Sequence, residues 1–598
     1  MKKQNITKAN KLKTIWFFIG THKIEFMVIV SFGLLASMLE SLNVALMYPM
    51  INNALDLHAG TNPILTIIDP FVKLIPITDE LIRYAAAFIF VAIASFVLKT
   101  IYCYLSAQLY AKIVTKTKKS LFNKYKNADY QFFIDNKQGE IQYKISIAPV
   151  RLSSMLQVLT EIFPSLFLGF FVFIILFIMS WKLLLVVVIF GLLYFYAIRQ
   201  ISTRISYKTG SNQRDSWQKE QVLITEYTSG IKHIKVFETF EYWKNIFNKT
   251  IDAYWFNNRK NYFWNTFPNL ILWMILYSSI GGAIIAIKIL YPGRFLELIP
   301  FVGTFAIGVF LVLPKIASFG SYITNIMNLS PDVEMISKEL KDKQYTSIKN
   351  GTKPLVSLVK GISLNKVSFS HKNREKLLNE ITMDIKKDTV TALVGPSGSG
   401  KSTIVNLLLR LYDVDNGSVC IDGVDIKDLD ISSYLEHVGF VSQDTFIFNG
   451  SIKDNISFGA AYSDDEIIDA AKKANAQGFI EQLPEGYNTI VGDRGMRLSG
   501  GEQQRIAIAR AIIRKPEIII MDEATSSLDN LSERIVKQAI DDISKSCTTF
   551  IVAHRLSTIK NADVIYVLDN GKIVESGSHE ELLKNKSHYY TLYQGQES

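Results

Sequence analysis

The chain has 598 residues, 48% hydrophobic and 20% charged, with a formal net charge of +10 and a mean hydropathy of +0.17. That length is more than one hydrophobic core organises, so several domains are expected. Its three cysteines, Cys103, Cys420 and Cys547, show no paired spacing, which argues against a disulfide framework or a cysteine metal site. At the start, Lys-rich sequence followed by Trp16, Phe17 and Phe18 predicts an interfacial helix over residues 1–22, lying on the inner leaflet.

Residues 23–330 hold long apolar runs, such as FLGFFVFIILFIM at 167–179. A bilayer core takes roughly 20 apolar helical residues to cross. Six stretches meet that need: 26–50, 84–104, 162–181, 183–198, 270–290 and 299–319. The first is too long for a signal-peptide core and lacks a cleavage pattern, so it is read as a retained span. Ionisable residues inside spans are costly and point to a polar path. Glu40 in the first span, Lys99 in the second and Lys315 in the sixth are therefore candidate substrate-cavity residues, although Lys99 can also snorkel to the interface.

The connections set the orientation. Residues 112–151 carry nine Lys or Arg and residues 199–262 carry eleven, whereas 51–82 holds only Lys73 against Asp56, Asp69, Asp79 and Glu80. Positive loops stay cytoplasmic, so both termini are expected there, in a bacterial inner membrane. The excess positive charge sits beside the bilayer, where anionic headgroups account for it without nucleic acid. These basic loops are expected to be helical extensions whose tips, near 138–147 and 212–222, are helices that dock on the soluble domain that follows. Residues 331–360 read as a linker and 361–598 as a soluble α/β domain.

In that last domain the apolar strand TVTALV (389–394) runs into GPSGSGKST, then into the helical IVNLLLRL. Strand, glycine loop and helix are the context of a phosphate-binding loop. The loop comprises Gly395, Pro396, Ser397, Gly398, Ser399, Gly400, Lys401, Ser402 and Thr403. Its amides and the helix start face phosphates, Lys401 meets the β- and γ-phosphates of ATP, and Ser402 ligates Mg²⁺. EIIIMDE (517–523) is a buried strand ending in Asp522, expected to reach Mg²⁺ through water, and Glu523, placed to polarise the attacking water.

Between these two motifs lies LSGGE, with Leu498, Ser499, Gly500, Gly501 and Glu502. This insert resembles the signature of the ATP-binding cassette (ABC) proteins, and the resemblance extends over essentially the whole chain as an exporter half-transporter. It implies a multidomain fold, an all-α six-helix membrane domain followed by an α/β P-loop ATPase of ABC type. It implies that Ser499 and Gly501 complete an ATP site on a second half-transporter, here expected to be an identical chain. It also implies roles for Gln443 (Q-loop, touching Mg²⁺ and water), for Ser527, Leu528 and Asp529 (D-loop), and for His554 (switch histidine). His371 stands where the family carries an aromatic that stacks on adenine. Asp493 in TIVGDRG stands where glutamate is commoner in the X-loop.

The stretch SMLESLNVALMYPMINNAL (37–55) resembles bacterial flippases for lipid-linked oligosaccharides, and VLPKIASFGSYI (312–323) does so more loosely. The expected function is an ATP-hydrolysing exporter or flippase of an amphipathic substrate, in contact with membrane lipid. A multidrug or peptide exporter is the alternative; no cysteine precedes Cys103, which disfavours a fused processing peptidase. A third reading, an ATP-gated regulator or channel, has no need of the hydrolytic residues Glu523 and His554.

Overall fold

The computed structural model describes residues 8–55, 63–126, 128–179, 181, 196, 206–290, 295–342, 348–371, 376–492, 495–523, 529–553, 555 and 559–597. The chain divides into two compact units, Met1–Asn127 with Phe132–Tyr345, and Thr346–Ser598 with Ala128–Gln131.

The first unit is helical. Three of its helices, Thr14–Ala54, Glu80–Lys126 and Gln138–Ile178, are long and apolar enough to cross a membrane, counting described residues only. The predicted spans 270–290 and 299–319 lie on Phe240–Leu290 and Phe295–Lys341, and most of 183–198 lies outside the described residues. At 1.5 Å per residue the 47 residues of Glu80–Lys126 reach about 70 Å, more than twice a bilayer core. The surplus is the basic, polar end of the helix, and it forms an arm outside the hydrocarbon.

Inside the membrane segment the helices meet over small residues. A Cβ on Gly33 would lie 2.9 Å from Cγ of Pro164, and the Ser37 hydroxyl donates to the Pro164 carbonyl at 2.9 Å. Close approach with an interhelical hydrogen bond is how helices associate where water gives no driving force. In the arms the fully buried Asp332 accepts from Tyr143 Oη at 2.5 Å and from Arg151 Nε at 2.9 Å. A charge buried to that degree is tolerated because both oxygens have charged or strong donors.

The structure moves the predicted tips. Residues 138–147 and 212–222 are helical as expected, but they do not sit at the reversals; Gln138–Ser146 and Tyr207–Ser229 pack side by side, with a Cβ on Gly139 only 2.6 Å from Val222 Cα. Gly139 marks a tight helix contact. The chain reverses instead at two short helices, Tyr130–Asp135 and Ile231–Val236, and Glu238 takes a left-handed φ of 52° in the second turn. The last membrane helix also runs past the predicted boundary at 330, to Lys341. Its C-terminal carbonyls receive the Lys124 ammonium, which donates to Asp342 O at 2.7 Å, a cation at the negative end of the helix dipole.

In the second unit, β1 (Gly361–Ser370), β2 (Lys376–Lys386), β4 (Asn416–Ile421) and β5 (Val424–Asp425) form an antiparallel sheet in the order β2-β1-β4-β5. The other sheet joins β3 (Val390–Val394), β6 (Val438–Val441), β7 (Ile518–Asp522), β8 (Thr548–Val552), β9 (Val564–Asp569) and β10 (Lys572–Gly577) in the order β10-β9-β3-β8-β7-β6. Strands β3, β6, β7, β8 and β9 are parallel, and both faces of IIIM in β7 are buried, as a continuous apolar run requires. In register, Leu393 opposes Val552, Met521 opposes Ile551 and Val441 opposes Met521. The carboxyl ends of four strands therefore finish level, and in open α/β sheets that edge is where ligands bind.

Candidate active site

The phosphate loop follows β3 directly and leads into the helix Lys401–Leu408. Gly398 and Gly400 take φ of 81° and 109°, which side chains resist, and a Cβ on Gly400 would strike Leu378 at 2.6 Å. The result is a curled backbone at a helix start, with the first helical amides unpaired within the helix by construction. Lys401 is buried, and its ammonium donates to the carbonyls of Gly395 at 2.9 Å and Pro396 at 3.0 Å. Burial lowers its pKa from the usual lysine value, opposed by the charges of Glu523 and Asp522, so this cation faces both carboxylates. Ser402 is exposed on the same turn, whereas Ser399 is buried and its hydroxyl has no hydrogen-bond partner. These residues fit a nucleotide triphosphate and Mg²⁺: a cradle that only glycine can line, a cation, a free hydroxyl and a carboxylate.

Asp522 closes β7, and Glu523 leaves it with φ 49°, its amide donating to Val552 O at 2.9 Å. That left-handed turn directs a carboxylate that is only 8% exposed toward the end of β6. There Gln443 Nε2 donates to Glu523 Oε2 at 2.5 Å. Two residues that sequence order alone associated are thus in direct contact.

The signature segment is a helix N-terminus. The Ser499 hydroxyl accepts from the Glu502 amide and Glu502 Oε2 accepts from the Ser499 amide at 2.8 Å, a reciprocal capping box opening Gly500–Ile512. Ser499 and Gly500 are exposed. Gly501 is buried against the next motif, since its Cβ would lie 2.6 Å from Ser532 Oγ. Asp529 caps the helix Asn530–Ser544 by accepting from the Ser532 amide at 3.2 Å. Gly501→Val is expected to cost about 1–3 kcal/mol through overpacking and to lower the thermal unfolding midpoint, whereas Gly500→Ala, at the exposed neighbour, leaves it nearly unchanged.

His371 sits half-buried, edge-on to Phe369 at 5.1 Å and to Tyr412 at 5.5 Å. Tyr412 was not foreseen; it lies in the helix-end segment RLYD, where nothing in the local pattern marks it as part of an aromatic cluster. His554, Ser527, Leu528 and Asp493 lie outside the described residues. In the membrane unit Glu40 and Lys99 are brought together, Lys99 Nζ lying 2.6 Å from Glu40 Oε2, while Lys315 is on the last long helix and partly exposed.

Comparison with known proteins agrees with this geometry. The "ABC transporter" family pattern matches residues 378–526 and the "ABC transporter transmembrane region" pattern matches 26–289. The Heterocyst differentiation ATP-binding protein HepA of Nostoc sp. is 33% identical over 82% of this chain and 80% of its own. The chain belongs to the ABC transporter family. The ATP-dependent lipid A-core flippase of Francisella tularensis is 31% identical to the transporter over 82% of this chain and 81% of the flippase. A solved structure titled as a bacterial Atm1-family ABC exporter with ATP bound shares the fold, with TM-score 0.76 and 24% identity over 97% of this chain and 99% of that one. The transporter is accordingly an ATP-driven exporter, a membrane protein whose ATPase unit uses ATP with Mg²⁺, and half-transporters of this kind generally dimerise.

Proposed function

We propose that two identical chains form a flippase in a bacterial inner membrane, with both termini and the ATPase unit in the cytoplasm. It moves an amphipathic lipid, such as a lipid-linked oligosaccharide, from the cytoplasmic leaflet outward. In each ATP site Lys401 and the loop amides neutralise phosphate charge, Ser402, Asp522 and Gln443 hold Mg²⁺, and Glu523 orients and deprotonates water. Ser499 and Gly501 of one copy, with Asp529 nearby, complete the site of the other, His371 carries adenine, and His554 meets the γ-phosphate. Positioning and charge neutralisation are what phosphoryl transfer to water needs.

The observation that carries the substrate reading is on the first membrane helix. Glu40 pairs there with Lys99 of the second, a polar spot on two otherwise apolar helices. In the same two turns Met38, Leu39 and Leu42 line an apolar crevice of about 190 Å³ with Phe171 and Ile174 of the third. Head and tail of an amphipathic molecule need such neighbours. The flippase name of the Francisella relative points the same way. In proteoliposomes, a fluorescent lipid-linked oligosaccharide should cross with ATP, and Glu40→Gln with Lys99→Gln should slow it more than ATP turnover. Transport of a co-reconstituted hydrophobic dye without the lipid would reject this reading.

A further inference from the structure

The segment entering the second unit, 348–360, is sewn onto it. Asp422 accepts from the amides of Val359, Lys360 and Gly361, at 2.8, 2.5 and 2.9 Å, and Arg410 donates to Lys349 O at 2.6 Å. Between these anchors the strap meets a pair of side chains that stand just before β6 and β7. His437 uses both ring nitrogens: Nδ1 lies 2.8 Å from Glu517 Oε1 and Nε2 lies 3.1 Å from Leu355 O. The second oxygen of Glu517 accepts the Leu358 amide at 2.8 Å. Leu358 itself is buried.

His437 immediately precedes β6, and Glu517 immediately precedes β7. Both Glu517 and Ile518 amides also donate to His437 O at 3.0 Å. At the far ends of the same two strands, about 20 Å away by strand rise, stand Gln443 and Glu523 in contact. Two parallel neighbours are thus fastened at foot and head, and the foot fastening includes the strap. A β-sheet packed on both faces transmits a shift of register or tilt more readily than it absorbs one.

We propose that His437 and Glu517 are positioning residues, through which the strap leading from the last membrane helix sets the alignment of Gln443 and Glu523. The inference rests on the hydrolytic roles assigned to those two residues above. A strap pulled by the membrane helix shifts Leu355 and Leu358, the His437–Glu517 pair follows, and β6 and β7 move relative to one another. The phosphate loop follows β3 and His371 follows β1, so most of the contacts to nucleotide are left in place.

The test is steady-state ATPase kinetics of the full-length transporter in lipid nanodiscs. Glu517→Ala and His437→Ala should each lower kcat about tenfold, with KM for ATP within about twofold of the parent, because misalignment rather than binding is lost. Glu517→Gln should retain most of kcat, since an amide can still accept the Leu358 amide and exchange a hydrogen bond with the ring. The double alanine variant should be no slower than either single, as expected of one shared contact. Unchanged kcat in both alanine variants, a fall matched by an equal rise in KM, or additive losses would overturn the proposal. Glu523→Gln measured alongside separates the two levels: if it remains active the hydrolytic roles fail, and if it is inactive while both alanine variants match the parent only the positioning role fails.

Discussion

Glu523→Gln should yield a transporter that binds ATP and closes on it but turns it over about a hundredfold to a thousandfold more slowly, the usual weight of a lost general base. The substitution is nearly isosteric. The left-handed turn at Glu523, fixed by the hydrogen bond its amide donates to Val552 O, is unaffected, and an amide oxygen can still accept from Gln443. What disappears is a carboxylate at a largely dehydrated position, close enough to Lys401 to influence its ionisation. The measurement is phosphate release in nanodiscs beside equilibrium binding of a fluorescent ATP analogue. Turnover within about twofold of the parent, with binding intact, would remove Glu523 from the hydrolytic step.

The second expected result concerns assembly. Lys401→Ala and Ser499→Arg should each abolish turnover as the sole chain, because every site then lacks either its cation or its closing hydroxyl. Co-expressed in equal amounts, they should restore about one quarter of parental activity. Random pairing makes half of the dimers mixed, and each mixed dimer holds one intact site of two, as two-fold symmetry dictates. A chain carrying both changes, mixed with itself, stays inactive. If the mixture also stays inactive although mixed dimers are isolated by two affinity tags, either the sites do not work independently or Ser499 does not act on the partner's nucleotide. Measuring a parent chain paired with the doubly substituted chain decides between these, since that dimer has two half-complete sites.

Much of the ATPase unit was legible because local pattern and position agree there. GPSGSGKST needs glycines where φ is positive, and the structure puts Gly398 and Gly400 in that region. IIIMD is buried on both faces, and its acidic end emerges at the functional edge of the sheet. The contact between Gln443 and Glu523 was not legible, because it depends on β6 and β7 being neighbours, and strand order is not written in either strand. The membrane unit was legible in its apolar runs and less so in its turns. The segments 138–147 and 212–222 were expected at the tips and instead pack on each other through Gly139, a contact that neither segment's pattern announces. Glu40 and Lys99 were each visible as misplaced charges. Their mutual pairing required knowing which faces of two helices meet.

Ser499 has one more consequence. Because its oxygen already accepts from the Glu502 amide, the hydroxyl rotor has fewer directions left for its own proton. An acceptor brought up to that surface meets a donor whose directions are already restricted. Ordering it at the moment of closure therefore costs little entropy. Threonine keeps this arrangement and alanine loses it. The same small cap that begins a helix thus leaves an ordered polar group at its exposed end.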